Sequence, residues 1–501
     1  VPSDRATKTH VYRDFSGGEY GLLGRNAPPN SFTARNMLVY DDGSLGCRVG
    51  QKERSPASGL PSGVVMGFGT TGVPGAGVWA IVGSTVYGWD GTGAAFAFTT
   101  NLASTPTLPV ASKLIGVETY ITSYGDKSYK LAHSSGAGAV TALTGSPGGR
   151  TIDLYRDRLV VGGDNVVGYR LYFSAPADFT SWPVANYVDL GYYYPLSFVA
   201  SQRQHLTVAT QVDLWIVTGT LGVDETVRRI QGLNGPYTPD AAAISKDGQI
   251  FFVPLFTAEP ATFDGALAKQ VRYLETGSHL AQTSPPEFVV HAADDPGTIV
   301  MHHTTDGNAW VRRNGVWTQH TFAKTMRYAG WANRHGLLAC DGGAVATVAK
   351  FYEWNFYANH PGSPTVDART QPTDGSLTTA PVAYAYMPEH WAEAGKEVLV
   401  RKVTVDFTKW NTGMSQTNHF DLTVDALGRS GASSQALTSG SQSFDEAGSS
   451  SSTTGTRARK VFLIGDQGPA AGFQVKLDAC RGVSIAEITV EYQFFDARPV
   501  S

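Results

Sequence analysis

Apolar residues in this chain come in short runs broken by turn residues. Val78-Trp79-Ala80-Ile81-Val82 meets Gly83-Ser84, then Thr85-Val86-Tyr87-Gly88-Trp89 and Asp90-Gly91. Two β-prone runs on either side of a Gly-containing pair predict a hairpin, and a second turn after it predicts a meander. Comparable units recur. Lys113 to Thr122 leads through Gly125-Asp126 to Tyr129-Leu131, and Thr151 to Val161 turns at Gly162-Gly163 and returns as Tyr169 to Ser174. Ser197 to Ala209 precedes Asp213 to Thr218, and Ala241 to Ser245 precedes Gln249 to Pro254. Ile299 to His303 turns at Asp306-Gly307, and Leu337 to Cys340 turns at Asp341-Gly342-Gly343. The units follow at uneven intervals of roughly 30 to 60 residues, against ~40 to 50 for a regular propeller blade.

One meander buries a single aromatic-rich face, so several must stack radially to complete a core. Trp79, Trp89, Trp215, Trp310, Trp317, Trp331 and Trp354 fall one or two to a unit, as fillers between blades would. Beyond Tyr357 the pattern changes. Residues 358–379 are rich in Pro, Gly, Ser, Thr and Asp, and after them strict alternation returns in Val403-Thr404-Val405-Asp406-Phe407 and in Ile485 to Tyr492. The expected fold is all-β, an irregular six- or seven-unit β-propeller followed by a C-terminal β-sandwich. Its expected parts are an N-terminal extended arm and first hairpin (1–55), the propeller (56–357), a linker (358–379) and the sandwich (380–501), whose Ser/Gly-rich stretch 430–456 reads as a long exposed loop. Within the arm, Asn36 to Gly50 reads as a hairpin turning at Asp42-Gly43, placed to start the propeller or to help close its ring, with Arg48 as a buried or interfacial ion-pair partner.

Composition narrows the function. A net charge of −4 and a pI near 6.3 argue against a protein that grips nucleic acid by neutralising phosphates. Cys47, Cys340 and Cys480 are too far apart for a CxxC metal spacing or a dense disulfide framework and read as small buried hydrophobes. No run approaches the ~20 apolar residues of a spanning helix, no signal pattern opens the sequence, and a soluble protein made in a cytoplasm is expected. Chemistry is equally sparse. Adjacent His302 and His303 would point to opposite faces of a strand, and His10, His133, His205, His320 and His335 stand alone. Arg150, Arg156, Arg158 and Arg170 gather on one meander, where ion pairs between blades explain them better than an anion track. The stretch Ser174 to Trp182 loosely resembles the Asp-box turn of sialidase propellers but lacks its Gly. No catalytic, cofactor-binding or metal residue is nominated, no cofactor is expected, and the chain reads as a non-enzyme.

A Phe15-Ser16-Gly17-Gly18 leader, the hairpin with Asp42-Gly43-Ser44-Leu45 and Arg48-Val49-Gly50, and Arg158 to Val161 with Leu171 to Ser174, Asp178 and Trp182 together resemble tail-nozzle proteins of short-tailed bacteriophages. These are also called tail tubular protein B or DNA-stabilising tail proteins, and propeller-like minor tail proteins of actinobacterial phages share the style. Arg401 to Val405 and the closing run Ile485 to Tyr492 look similar as well. The resemblance implies a virion tail subunit, made in the host bacterial cytoplasm, that forms a hexameric ring. It would retain packaged double-stranded DNA, let it slide through the lumen without sequence-specific binding, and meet neighbouring tail or adaptor proteins through the N-terminal arm and C-terminal domain. The competing readings are a distal-tip or receptor-binding protein that contacts the host surface and, further off, a glycan depolymerase.

Overall fold

The computed structural model describes residues 7–15, 18–19, 31–40, 43–47, 52–72, 77–190, 194–230, 234–236, 238–245, 247–254, 260–265, 268–270, 288–292, 298–304, 307–313, 315–322, 325–333, 336–355, 383–409, 417–427, 435–436, 442–447, 456–464 and 470–496. The linker 358–379 and Arg48 lie outside them. The chain divides into two compact units. One is residues 53–307 with 324–353; the other is residues 1–52, 308–323 and 354–501.

The first unit is the propeller. Among its described residues are six four-stranded sheets, the first antiparallel and running Val65–Thr70, Val78–Val82, Thr85–Trp89 and Phe96–Ala97. The second spans residues 111–142, the third 151–189, the fourth 196–230 and the fifth 242–270. Between the fifth sheet and the last, the hairpin Phe288–Ala292 and Ile299–His303 supplies another blade position. The inner strands Val65–Thr70, Ala111–Ile115, Thr151–Tyr155 and Leu196–Gln202 lie each against the next. Phe198 and Ala200 then pack with Ala242 of the fifth sheet. Ala242–Ile244, Phe288–Ala292 and Tyr328–Asn333 continue the series, and the last meets Val65–Thr70 again. Seven inner strands therefore close a ring, the radial stacking that one-faced meanders require.

Closure is covalently out of order. The last sheet, Tyr328–Asn333, Gly336–Cys340 and Phe351–Asn355, takes its fourth strand from Lys52–Glu53 near the start of the chain. Arg54 N donates to Phe351 O (2.8 Å), and the ion pairs Lys350–Glu53 (2.5 Å) and Arg54–Glu353 (2.7 Å) flank that joint. The strand that closes the ring is thus this one, and not the Asn36 to Gly50 hairpin.

Neighbouring blades share apolar cores. Trp79, Ile81 and Val86 of the first pack with Ile121, Tyr129 and Leu131 of the second, and Trp89 packs with Phe351 of the last. Trp79 and Trp89 are fillers between blades, as their spacing implied. Trp310, Trp317 and Trp354 belong to the other unit.

Several predicted strands were too long. Thr151 to Val161 is two strands, Thr151–Tyr155 and Arg158–Gly162, because the chain turns at Arg156, which takes a φ of 55°. Lys113 to Thr122 breaks at Gly116-Val117 in the same way. A tight turn without the usual Asn-Gly or Asp-Gly pair left no strong mark in the sequence.

The second unit is the sandwich, and both ends of the chain build it. Its first sheet joins Thr456–Leu463, Lys396–Lys409 and Val483–Asp496 to Lys8–Arg13 and the hairpin Met37–Val39 and Leu45–Cys47. Its second sheet sets Ser31–Arg35 between Val316–Thr321 and Tyr384–Tyr386, then Gly472–Arg481 and Thr417–Leu427. Alternation sends Val403 and Val405 inward, and a register shift opposite Asp406-Phe407 turns the closing strand so that Ile485 and Ile488 both face inward, against Phe32, Phe420, Leu422 and Val475 in one core. The arm is not a separate piece. Lys8–Arg13 pairs residue for residue with the closing strand, from Lys8 opposite Tyr492 to Arg13 opposite Glu487.

The hairpin after Asn36 docks by two local devices. Asn36 adopts a φ of 58°, a conformation its short amide tolerates, and its Oδ1 accepts from Thr321 N while its own N–H donates to Gln319 O, both at 2.8 Å. Gly46 lies so close to the closing strand that a β-carbon would stand 2.3 Å from Ser484 Oγ. Residues 308–323 fall in the sandwich unit, where Val316–Thr321 meets Ser31–Arg35 at Arg35 opposite Gln319. Part of 430–456 is also built in: Gln442–Ala447 pairs with Thr417–Leu427, and Phe444 packs on Phe407 and Phe420.

Candidate functional site

Strand alternation builds a charged row across the outer face of the first sandwich sheet. Arg13 lies opposite Glu487, Glu487 opposite Asp406, and Asp406 opposite Arg459. Arg459 closes on Asp406 with a two-bond fork, Nε to Oδ1 at 2.6 Å and Nη2 to Oδ2 at 2.9 Å, which holds the guanidinium more firmly protonated. Thr489 Oγ1 donates to Glu487 Oε1 at 2.9 Å.

This row is one wall of a groove of about 820 Å³ that also takes in Asp14, Gly43, Thr408 and Arg457. Its far wall is set by the N-terminal strand turning at Asp14 (φ 55°), where Phe15 N donates to Gly43 O at 3.1 Å. Three arginines and three carboxylates line it, and Arg13 and Arg457 are exposed. Such a groove sets hydrogen-bond donors and acceptors side by side. Both oxygens of Asp406 are engaged by Arg459, so its carboxylate serves as an ion-pair acceptor there.

The residues singled out in the sequence stand elsewhere, each in local contacts. Arg158 is buried, with Nη1 donating to Ser174 O (2.8 Å) and its guanidinium over Phe173. Arg156 Nη1 donates to Thr220 Oγ1 (2.7 Å), Arg150 stacks on Tyr124, and Arg170 is forked to Asp189. These contacts are dispersed over separate partners. In the Ser174 to Trp182 stretch, Asp178 Oδ1 accepts from Thr180 N and Oγ1, while Trp182 is buried between the second and third blades. That turn is a structural plug.

His302 and His303 do face opposite ways. His303 lies tilted against Phe288 (5.0 Å) and His302 faces His291 (6.3 Å). His133 approaches Asp90 (3.4 Å), His205 meets Gln202 (2.7 Å), His320 meets Thr318 (2.9 Å), and His10 lies against His390 (4.5 Å). His335 and the Cys47 side chain are outside the described residues, and Cys340 and Cys480 are buried. Burial pushes the Cys340 thiol well above its ordinary range, which keeps it inert. Among the described residues no three His, Cys, Asp or Glu side chains gather as metal ligands, and no helix is long and apolar enough to cross a membrane. Burial pushes the Asp240 carboxyl up to about 6, against the pull of Arg327.

The facing pair His291 and His302 has a measurable consequence. Burial lowers both to about 3 from 6.5, and His302 further disfavours charge on His291. The unfolded chain takes up these protons below about pH 6.5 and the folded chain only near about 3. The stability that this pair contributes is therefore full above about pH 6.5 and is lost as pH falls toward about 3. Denaturant melts across this window are expected to lose stability steadily, and His291→Gln to flatten the decline; an unchanged slope in that variant would contradict the assignment.

Nothing in the residue order pointed to the groove as a unit. The alternation in Val403 to Phe407 and Ile485 to Tyr492 marks Asp406 and Glu487 as outward-facing, yet nothing local says that Arg13 joins their row.

No family model matches this chain, and no curated protein matches it. Solved structures do resemble it. YCF48 bound to D1 peptide shares 11% identity over 61% of this chain and 96% of its own, with a TM-score of 0.41. PorZ, a bacterial surface component of the type-IX secretion system of Porphyromonas gingivalis, shares 14% over 67% of this chain and 43% of its own (TM-score 0.40). BamB from Moraxella catarrhalis shares 15% over 66% and 99% (TM-score 0.37). The propeller assignment stands on the strand order and ring closure of this chain.

Proposed function

We propose that this chain is a structural subunit of a bacteriophage tail, a nozzle-ring subunit that extends the tail channel, retains packaged DNA and lets it pass at ejection. The observation that carries the reading is the groove on the outer face of the sandwich, lined by three arginines and three carboxylates. With Arg13 and Arg457 exposed, it suits contact with a neighbouring subunit or tail protein. The mildly acidic net charge of −4 fits a lumen through which DNA slides without being gripped.

Negative-stain imaging of the purified chain, alone and on the particle, tests the proposal. Closed sixfold rings on the tail axis are expected, and Arg13→Glu combined with Arg457→Glu is expected to reduce ring formation while leaving the monomer folded. Off-axis monomers or trimers would overturn the nozzle reading in favour of a distal-tip protein.

A further inference from the structure

Two imidazole rings meet where the N-terminal strand lies on the sandwich. His10 belongs to Lys8–Arg13 of the first sheet, and His390 to His390–Trp391, which pairs with Gly472–Arg481 of the second. Their ring centres are 4.5 Å apart, the planes tilted by 43°. Neutral rings tolerate that contact, whereas two imidazolium ions so close repel each other. His390 Nε2 is buried and has no hydrogen-bond partner among the described residues.

The neighbours of the pair are mostly uncharged. Tyr12 stands 4.5 Å from His10, Val490 lies opposite His10 on the closing strand, and Phe473 and Tyr492 stand 4.9 and 5.1 Å from His390. Tyr12 donates its hydroxyl to Pro388 O at 3.1 Å, and burial holds Tyr12 and Tyr492 above the ordinary phenol range, so both stay neutral. The charged groups nearby are Lys8, which lies over the Phe494 ring, and Lys396, Glu389 and Glu393. Both carboxylates are already engaged, Glu389 by Trp391 Nε1 at 2.9 Å and Glu393 by Lys396 Nζ at 3.1 Å. Burial lowers His10 below its ordinary value and brings His390 to about 4, with His10 adding to the second effect.

We propose that this pair makes the N-terminal strand a latch that mild acid opens. Lys8–Arg13 is an edge strand that pairs, among the described residues, with Val483–Asp496 alone. Peeling it away separates the two rings and gives each to water, where an imidazole takes a proton at about pH 6.5. The docked rings are the weaker bases, so the pair supports docking fully above about pH 6.5 and loses that support as pH falls toward about 4. Opening leaves the edge of residues 487–492 unpaired and carries Arg13 away from the groove wall. Acid would thereby weaken contacts made through the groove; that consequence rests on the tail reading, and the latch itself does not.

Hydrogen exchange of the full chain, followed by mass spectrometry and corrected for the intrinsic rate at each pH, tests the latch. Between pH 7 and pH 4.5 the protection of residues 8–13 is expected to fall about tenfold or more, while residues 78–82 of the propeller and 400–407 of the sandwich keep theirs. His10→Gln combined with His390→Gln is expected to hold the protection of residues 8–13 within about twofold over that range, because neither amide titrates there. Unchanged protection of residues 8–13 in the parent chain, an equal fall in the doubly substituted chain, or a loss shared by all three segments would overturn the proposal. The parent chain decides by itself if the substituted chain folds poorly. Ring formation is read separately, so failure of the latch leaves the nozzle reading standing, and a chain that forms no rings can still open its N-terminal strand.

Discussion

Asp153→Asn is expected to cost the propeller about 1 to 3 kcal/mol, the range for leaving a buried donor without its acceptor. Asp153 is 4% exposed on the inner strand of the third blade. Lys113 Nζ, from the inner strand of the second blade, reaches its Oδ1 at 2.5 Å, and Ser201 N, from the fourth, donates to its Oδ2 at 2.6 Å. Leu154 N donates to Oδ1 as well (2.7 Å). One carboxylate thus laces three consecutive inner strands. An asparagine of the same shape has a single acceptor oxygen, so its amide nitrogen must face either the Ser201 N–H or the lysine, donor against donor. The Lys113 side chain is 34% exposed and keeps access to water, so the larger share of the cost falls on the buried side. Chemical denaturation of the variant measures the loss. A change under about 1 kcal/mol would mean that the contact does not hold the blades. Adding Lys113→Met to the variant is expected to recover part of the loss, because the unpaired ammonium goes with it.

The second large effect belongs to the N-terminal segment. Phe32→Ala is expected to destabilise the sandwich by about 3 to 5 kcal/mol. Phe32 is fully buried and meets Phe15 edge-to-face, with ring centres 6.0 Å apart. Deleting residues 31–47 should do more than that substitution, abolishing the native sandwich. It removes the strand that pairs Thr33 with Tyr386 and Ala34 with Ala385, and the hairpin strand that pairs Leu45 with Ile485. The backbone donors and acceptors of two sheets would lose their partners inside a closed core. Limited proteolysis and near-ultraviolet circular dichroism of the truncated chain would register the loss. A truncated chain that melts like the parent would show that this segment is an appendage after all.

Much of the propeller was legible because its contacts are local. Val78–Val82 and Thr85–Trp89 pair across Gly83-Ser84, so alternation and turn chemistry name both strands and their partner. Where the turn was made by Arg156, with no glycine in it, two strands were read as one, and the blade period looked less regular than it is. The candidate groove was less legible. Asp406 and Glu487 could be assigned to an outward face, but Arg13 reaches their row only because residue 13 pairs with residue 487. The stretch 430–456 misled for a related reason: Phe444, one ring among Ser and Gly, is enough to seat an edge strand against Phe407 and Phe420.

By itself, then, the sequence determined the all-β class, the hairpin train and the inward face of unbroken alternating runs such as Val403 to Phe407, since period-two alternation and turn propensity act over a few residues. Tertiary structure alone decided that seven inner strands close a ring, that Lys52–Glu53 completes the last blade, and that the N-terminal strands complete the C-terminal sandwich. Backbone hydrogen-bonding groups are the same at every residue, so a strand's distant partner is chosen by which pairing buries the most apolar surface without orphaned polar groups. That choice is made by the whole folded chain.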